Sequence, residues 1–108
     1  MLRTESDYLI QNDIIYDRRN SIKEKVLYTF LAYCENEFAD DYGEWFNVRM
    51  SELQEVIEWE SVNTVMICLN RLSFHGYIEL KNYESSNPEI VQVRLLTLEE
   101  REENGLRL

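Results

Sequence analysis

Two cysteines, one histidine and eleven basic side chains set against twenty-one acidic ones are all that this 108-residue chain has of those types, and each scarcity removes a class of explanation. Cys34, Cys68 and His75 fall short of the three or four ligands at recognisable spacing that a metal site needs, so no metal is expected. Both cysteines sit in helical apolar patterns, where they read as small buried hydrophobes kept reduced inside a cell. No apolar run approaches the roughly 18 residues of a membrane span. The opening Met-Leu-Arg-Thr-Glu-Ser-Asp lacks a signal peptide's apolar region. The expectation is a cytoplasmic protein with no membrane contact. No Ser/His/Asp, Cys/His, paired-carboxylate or phosphate-loop arrangement occurs, so neither catalysis nor a cofactor is expected.

What is present describes an ordinary folded domain. Apolar residues make up 44% and charged residues 30% of the chain, which separates it from disordered sequences. A chain of this length buries about two thirds of its extended surface and has room for one domain.

The net charge of −10 is unevenly placed. Residues 1–60 carry −8, residues 61–97 are neutral, and residues 98–108 carry −2. Within residues 35–60, nine acids face the single base Arg49. The acid is concentrated ahead of the segment that organises the rest of the chain.

That segment is centred on Ser61 to Gly76. Val62, Val65, Leu69 and Leu72 recur three and four apart, with Cys68 at the edge, which predicts a helix with one buried stripe. Ser61 is a good N-cap and Gly76 a helix-ending residue. Just before it, Ser51 and Gln54 match a capping box opening a shorter helix whose apolar stripe is Leu53, Val56 and Ile57. Only Glu58, Trp59 and Glu60 separate the two, the length of a turn between crossed helices. After Gly76 the period becomes alternating. Ile78 and Leu80 are predicted to face one way and Tyr77, Glu79 and Lys81 the other; later, Val91, Val93 and Leu95 face in, Gln92 and Arg94 out. The link Tyr83-Glu-Ser-Ser-Asn-Pro88 is rich in turn formers and predicts a hairpin.

Upstream, Ser21 and Glu24 form another capping box, opening a helix to about Phe38 with Ile22, Val26, Leu27, Phe30, Tyr33 and Cys34 on its apolar period. Tyr28 and Tyr33 read as core or boundary aromatics. Gly43 marks a loop, and Trp45-Phe-Asn-Val-Arg49 has the composition of a short strand that would pair with the hairpin into a three-stranded antiparallel sheet. Asp7 to Tyr16 is either a short helix with Leu9, Ile10 and Ile14 on one side or an extended arm. It covers the core or serves as a dimerisation arm. Arg18 and Arg19 read as solvent-exposed charges, His75 as a C-terminal helix residue attracted to the last carbonyls. Leu98 to Asn104 predicts a solvated terminal helix ended by Gly105, with Leu98 and Leu106 as anchors.

Helix, tight turn, helix, Gly and hairpin, carried by Ser51-x-Leu53, then Ser61-x-x-Thr64-Val65-x-x-x-Leu69-x-x-Leu72-x-x-x-Gly76-Tyr77-Ile78, resemble the winged helix-turn-helix family over roughly seven tenths of the chain. The acidic Asp40-Asp-Tyr-Gly43-Glu-Trp-Phe46 connection is loosely similar to that of winged helices heading phage and plasmid replication initiators. The resemblance implies an α+β, mainly α fold: an extension or arm over 1–20, a three-helix core with small sheet and wing over 21–97, and a short helix over 98–108. It implies DNA binding by the third helix, with Ser61, Asn63, Thr64, Ile67, Asn70 and Arg71 exposed and Lys81 near the wing, as in a transcriptional regulator or replication accessory. Asn63 and Asn70 suit adenine, Arg71 guanine or phosphate, and Ser61 and Thr64 phosphate oxygens.

Double-stranded DNA is thus the first expected partner, though cations are few for phosphate contacts. The alternative is an acidic winged-helix interaction module of the phage-inhibitor or adaptor type that binds a basic protein and no DNA. Its interface would draw on Met66, Phe74, Glu58, Glu60, Asp40, Asp41 and Glu44. The apolar N-terminal segment, with Met66 or Phe74, predicts a homodimer.

Overall fold

Ser21 opens the longest helix of the computed structural model, which describes residues 14–58, 60–81 and 89–103. Helix α1 spans Ile22–Phe38. The Ser21 hydroxyl accepts from the Glu24 amide at 3.3 Å and donates to the Glu24 carboxylate at 2.6 Å, so the predicted N-terminus forms with the carboxylate turned to the hydroxyl. The predicted apolar face holds only in part: Leu27 and Cys34 are in the core and Phe30 packs at its edge. Leu27, Tyr28, Leu31, Ala32 and Cys34 are buried, whereas Ile22, Val26 and Tyr33 are 79%, 43% and 55% exposed.

The reason is chemical. Glu24 and Glu35 lie on the inner face, which made that face read as polar. Inside the fold each carboxylate finds partners: Arg71 Nε donates to Glu24 Oε1 at 3.1 Å, and the Gly43 amide to Glu35 Oε2 at 3.0 Å. With two of its acids satisfied in this way, α1 buries the face that carries Leu27 and Leu31.

Strand β1, Phe46–Arg49, follows the Gly43 loop and buries Phe46 and Val48. Gly43 has φ +79, and a Cβ there would meet the Thr97 methyl at 3.2 Å. Helix α2, Met50–Val56, starts one residue before the predicted cap. Arg49 is its N-cap, without a side-chain hydrogen bond, so the Ser51–Gln54 capping box is not formed. Gln54 instead donates to the Glu60 carbonyl at 3.1 Å and braces the turn to the next helix. In that turn Glu58 takes φ +63, a left-handed conformation that costs an L-residue about 1–2 kcal/mol. Glu58→Gly is therefore expected to raise stability by up to about 1 kcal/mol, and Glu58→Val to lower it by a similar amount or more, as read from urea midpoints.

Helix α3, Val62–Phe74, buries Val65, Cys68, Leu69 and Leu72. Its predicted ends hold: Thr64 N donates to Ser61 Oγ at 3.1 Å, and Gly76 has φ +83. Tyr77 N bonds Leu72 O and Gly76 N bonds Ser73 O, both at 3.0 Å, which is the paired closure of a Schellman motif. The motif turns Tyr77 into the core at 0% exposure, against the predicted outward placement, because it still belongs to the helix ending rather than to the strand.

Strands β2, Ile78–Lys81, and β3, Ile90–Leu95, pair antiparallel, with Ile78 opposite Leu95 and Leu80 opposite Val93. Strand β1 pairs with the other edge of β3, Val48 opposite Val91, giving the order β1-β3-β2. Val91, Val93 and Leu95 face the helices as predicted. Helix α4, Leu98–Glu103, opens on a reciprocal pair: Glu100 N to Thr97 Oγ1 at 3.2 Å and Thr97 N to Glu100 Oε1 at 3.0 Å. It is not merely solvated. Arg101 is 5% exposed and its guanidinium lies 3.9 Å from the Tyr77 ring centre.

The protein is thus α+β, with helices α1, α2 and α3 on one face of a small antiparallel sheet. Ile14 joins the core at 1% exposure. Cys34 and Cys68 are buried and not bonded to each other, and burial pushes the Cys34 thiol up to about 11. The expectations for Leu9, Ile10, Trp59, the 83–88 link, the Leu98 side chain, Gly105 and Leu106 lie outside the described residues.

Candidate functional site

With Val65, Leu69 and Leu72 turned inward, the opposite ridge of α3 is Asn63, Ile67, Asn70 and Phe74, four, three and four residues apart and so nearly in line along the helix. Asn63 and Asn70 are exposed. Ile67 is 51% and Phe74 86% exposed. The outermost surface alternates amide and apolar groups over about 17 Å at the 1.5 Å rise of a helix. Met66 flanks the ridge, half-buried against the core.

Arg71 lies on the flank facing α1. Besides Glu24, its Nη2 donates to the Arg19 carbonyl at 3.0 Å. Swinging out to a ligand would leave the Glu24 carboxylate, 3% exposed, without its cationic partner, and a stranded buried charge is costly. Ser61 and Thr64 hydroxyls lie 3.1 Å apart while Ser61 also caps the helix. Lys23 pairs with Glu60. Lys81 sits 4.1 Å over the Trp45 ring centre. Arg94 bonds Glu79 and Glu100 through its Nη2 at 2.7 and 2.6 Å, an arrangement that holds the Glu100 carboxyl down to about 2. The cations near the ridge are thus engaged within the molecule.

The acidic residues named as a possible interface separate into two places. Glu58 and Glu60 stand at the start of α3, beside the beginning of α1 through Lys23. Asp40, Asp41 and Glu44 follow the far end of α1, about 25 Å away along its 17 residues. They do not form one patch with Phe74.

Beneath the C-terminal end of α3 lies a polar network that the sequence reading missed. Asp17, 7% exposed, accepts from Arg19 Nη2 at 2.6 Å and from the Tyr77 hydroxyl at 2.8 Å. The hydrogen bond from Arg19 holds the Asp17 carboxyl well below the usual carboxylate range. Burial, then the bond to Asp17, pushes the Tyr77 phenol up to about 12. His75 Nδ1 is 2.7 Å from Asn20 Oδ1. Burial lowers the His75 pKa and favours neutral imidazole, so the predicted charge attraction to the helix carbonyls is replaced by a side-chain hydrogen bond. Arg19, predicted as free surface charge, is part of this lattice. By sequence Tyr77 falls on the outward side of the strand alternation, and Asp17, Arg19, Asn20 and His75 lie on no apolar period; their only sequence signal is adjacency to the ends of α1 and α3.

Among the described residues no group of three His, Cys, Asp or Glu side chains is placed to hold a metal ion, and no helix is long and apolar enough to cross a membrane. Compared with protein-family models, curated proteins and solved structures, the chain matches none.

Proposed function

We propose that this chain is a cytoplasmic winged-helix protein-interaction module that docks a basic partner through the exposed ridge of α3, with no catalytic step. The helix–strand–helix–helix–strand–strand order and the β1-β3-β2 sheet support the winged-helix reading. The observation that carries the function is the contrast on α3: Phe74 stands 86% exposed on the same ridge as Ile67 at 51%, while Arg71 is tied to Glu24. Exposed apolar groups rimmed by charge mark protein interfaces. A DNA-reading surface draws most of its affinity from cations able to meet phosphates. Glu58 and Glu60 at the mouth of the ridge would steer a basic partner and repel a duplex.

A second reading, sequence-specific duplex DNA binding, is favoured by Asn63 and Asn70, two exposed amides about two turns apart on one ridge that suit adenine edges. Paired titrations of a Lys-rich amphipathic peptide and of a mixed-sequence duplex at low salt separate the two. Peptide binding is expected, weakened about tenfold or more by Phe74→Ala and also weakened by the double change Glu58→Gln, Glu60→Gln. Duplex affinity is expected to be weaker than about 10⁻⁴ M. Duplex binding that is tightened by the same Glu→Gln changes and lost with Asn63→Ala would replace this proposal by the DNA reading.

A further inference from the structure

The outer face of α1 takes no part in the core, although it is apolar along most of its length. Ile22, Val26, Thr29 and Tyr33 are spaced four, three and four apart, the interval at which side chains of one helix seat between those of a second. Phe30 lies alongside, its ring 6.3 Å from that of Tyr33. With Val56 of α2 these residues line an open trough of about 490 Å³. Ile22 and Val26 continue from it into a neighbouring trough bordered by Val56, Ile57 and Glu58.

The charges beside this stripe identify what fits it. Lys23 lies on one flank near the N-terminal end; it pairs with Glu60 of its own chain, yet its side chain is 49% exposed, and an ammonium with three donors can meet a second carboxylate as well. Glu37 lies on the same flank near the C-terminal end and is exposed. In an antiparallel pair related by a two-fold axis, a flank faces the same flank of the other copy. An axis passing near Thr29 and Phe30 sets Lys23 of each helix against Glu37 of the other, and Val26 against Tyr33. The helix dipoles are then opposed, which favours the pairing. In a parallel pair each flank would instead face the opposite flank of the other helix, which sets Lys23 beside Lys25 at the same height and leaves Glu37 with no cation across from it.

We infer that the outer face of α1 is a homodimer interface, in which two copies pack α1 against α1 antiparallel, Ile22, Val26, Thr29 and Tyr33 forming the seam and Lys23–Glu37 pairs closing both ends. This site is separate from the α3 ridge and does not depend on its role. The net charge of −10 on each chain opposes association, but at 0.15 M salt the Debye length of about 8 Å screens the distant acids more than the close seam pairs. One helix face is a small contact, so the affinity is modest.

Sedimentation equilibrium of the full chain at 0.15 M salt, up to about 500 µM, tests the inference. Wild type is expected to show a monomer–dimer equilibrium. Val26→Glu is expected to be monomeric throughout, with an unchanged circular dichroism spectrum, since Val26 is already 43% exposed. Lys23→Glu and Glu37→Lys chains are each expected to dimerise about tenfold or more weakly than wild type, and to recover affinity when mixed, because the mixture restores both opposite-charge contacts. A wild-type monomer over this range overturns the inference. So does a dimer indifferent to Val26→Glu, or a mixture of the two charge variants that fails to associate.

Discussion

Leu69→Ala is expected to lower the unfolding free energy by about 2–5 kcal/mol, while Asn70→Ala, one residue along the same helix, changes it by only a few tenths. Leu69 is fully enclosed at 0% exposure. It sits on the face of α3 that contacts α1, α2 and β2, and truncation there leaves a cavity that three packed elements cannot readily close. Asn70 points into solvent, and its loss removes no core packing. Urea unfolding with an unchanged m-value would read both effects as shifts in midpoint. Equal effects from the two substitutions would contradict the assignment of the inner and outer faces of α3.

The second large effect is expected at Asp17. Its carboxylate takes Arg19 Nε at 3.0 Å as well as Nη2, and it is the hydrogen-bond acceptor for Tyr77 in the core. Asp17→Ala strands the Tyr77 hydroxyl and removes the charge facing Arg19, and is expected to cost roughly 2–4 kcal/mol. Tyr77→Phe removes the hydroxyl itself and is expected to cost less, about 1–2 kcal/mol. In a double-mutant cycle the combined loss should fall short of the sum of the two, since both remove the same bond.

This network and the separate Arg94–Glu100 pair set the acid sensitivity. Asp17 and Glu100 are lowered in the folded state from ordinary values of 3.8 and 4.5. Their contribution is therefore complete above about pH 4.5 and is lost as pH falls through the folded values, where the native carboxylates must take up protons. His75 is lowered from 6.5 by burial, so the unfolded chain binds its proton first and stability begins to fall below about pH 6.5. All three act in one direction. Midpoints measured from pH 7 to pH 3 should fall monotonically, and His75→Gln should flatten the part between pH 7 and 5.5. A rise on acidification would contradict the network.

Elements with a clear period and marked ends were legible from residues alone. Helix α3 carries its own boundary signals in Ser61 and Gly76, and Asn63 and Asn70 interrupt the apolar residues on its outer side, so both its span and its orientation follow from local rules. The alternation of β3 is similarly unambiguous, because Val91, Val93 and Leu95 are separated by polar Gln92 and Arg94. The exposed residues of the α3 ridge follow directly from that orientation.

Helix α1 marks where such reasoning stops. Its periodicity determined that it is a helix, but it carries apolar residues on two sides. Which side enters the core depended on whether the acids beside Leu27 and Leu31 could be satisfied there. Arg71, 47 positions beyond Glu24, and the Gly43 amide supply those partners only once the chain has folded. Tyr77 likewise became a core residue because the Schellman ending of α3 turned it inward to Asp17. Composition, period and capping thus determined the order of elements, the buried stripe of α3 and the acidic balance. The face of α1, the engagement of the cations and the Asp17–Tyr77 network were decided by tertiary structure, since the hydrogen-bond partner that makes burial of a charge tolerable lies far away in sequence.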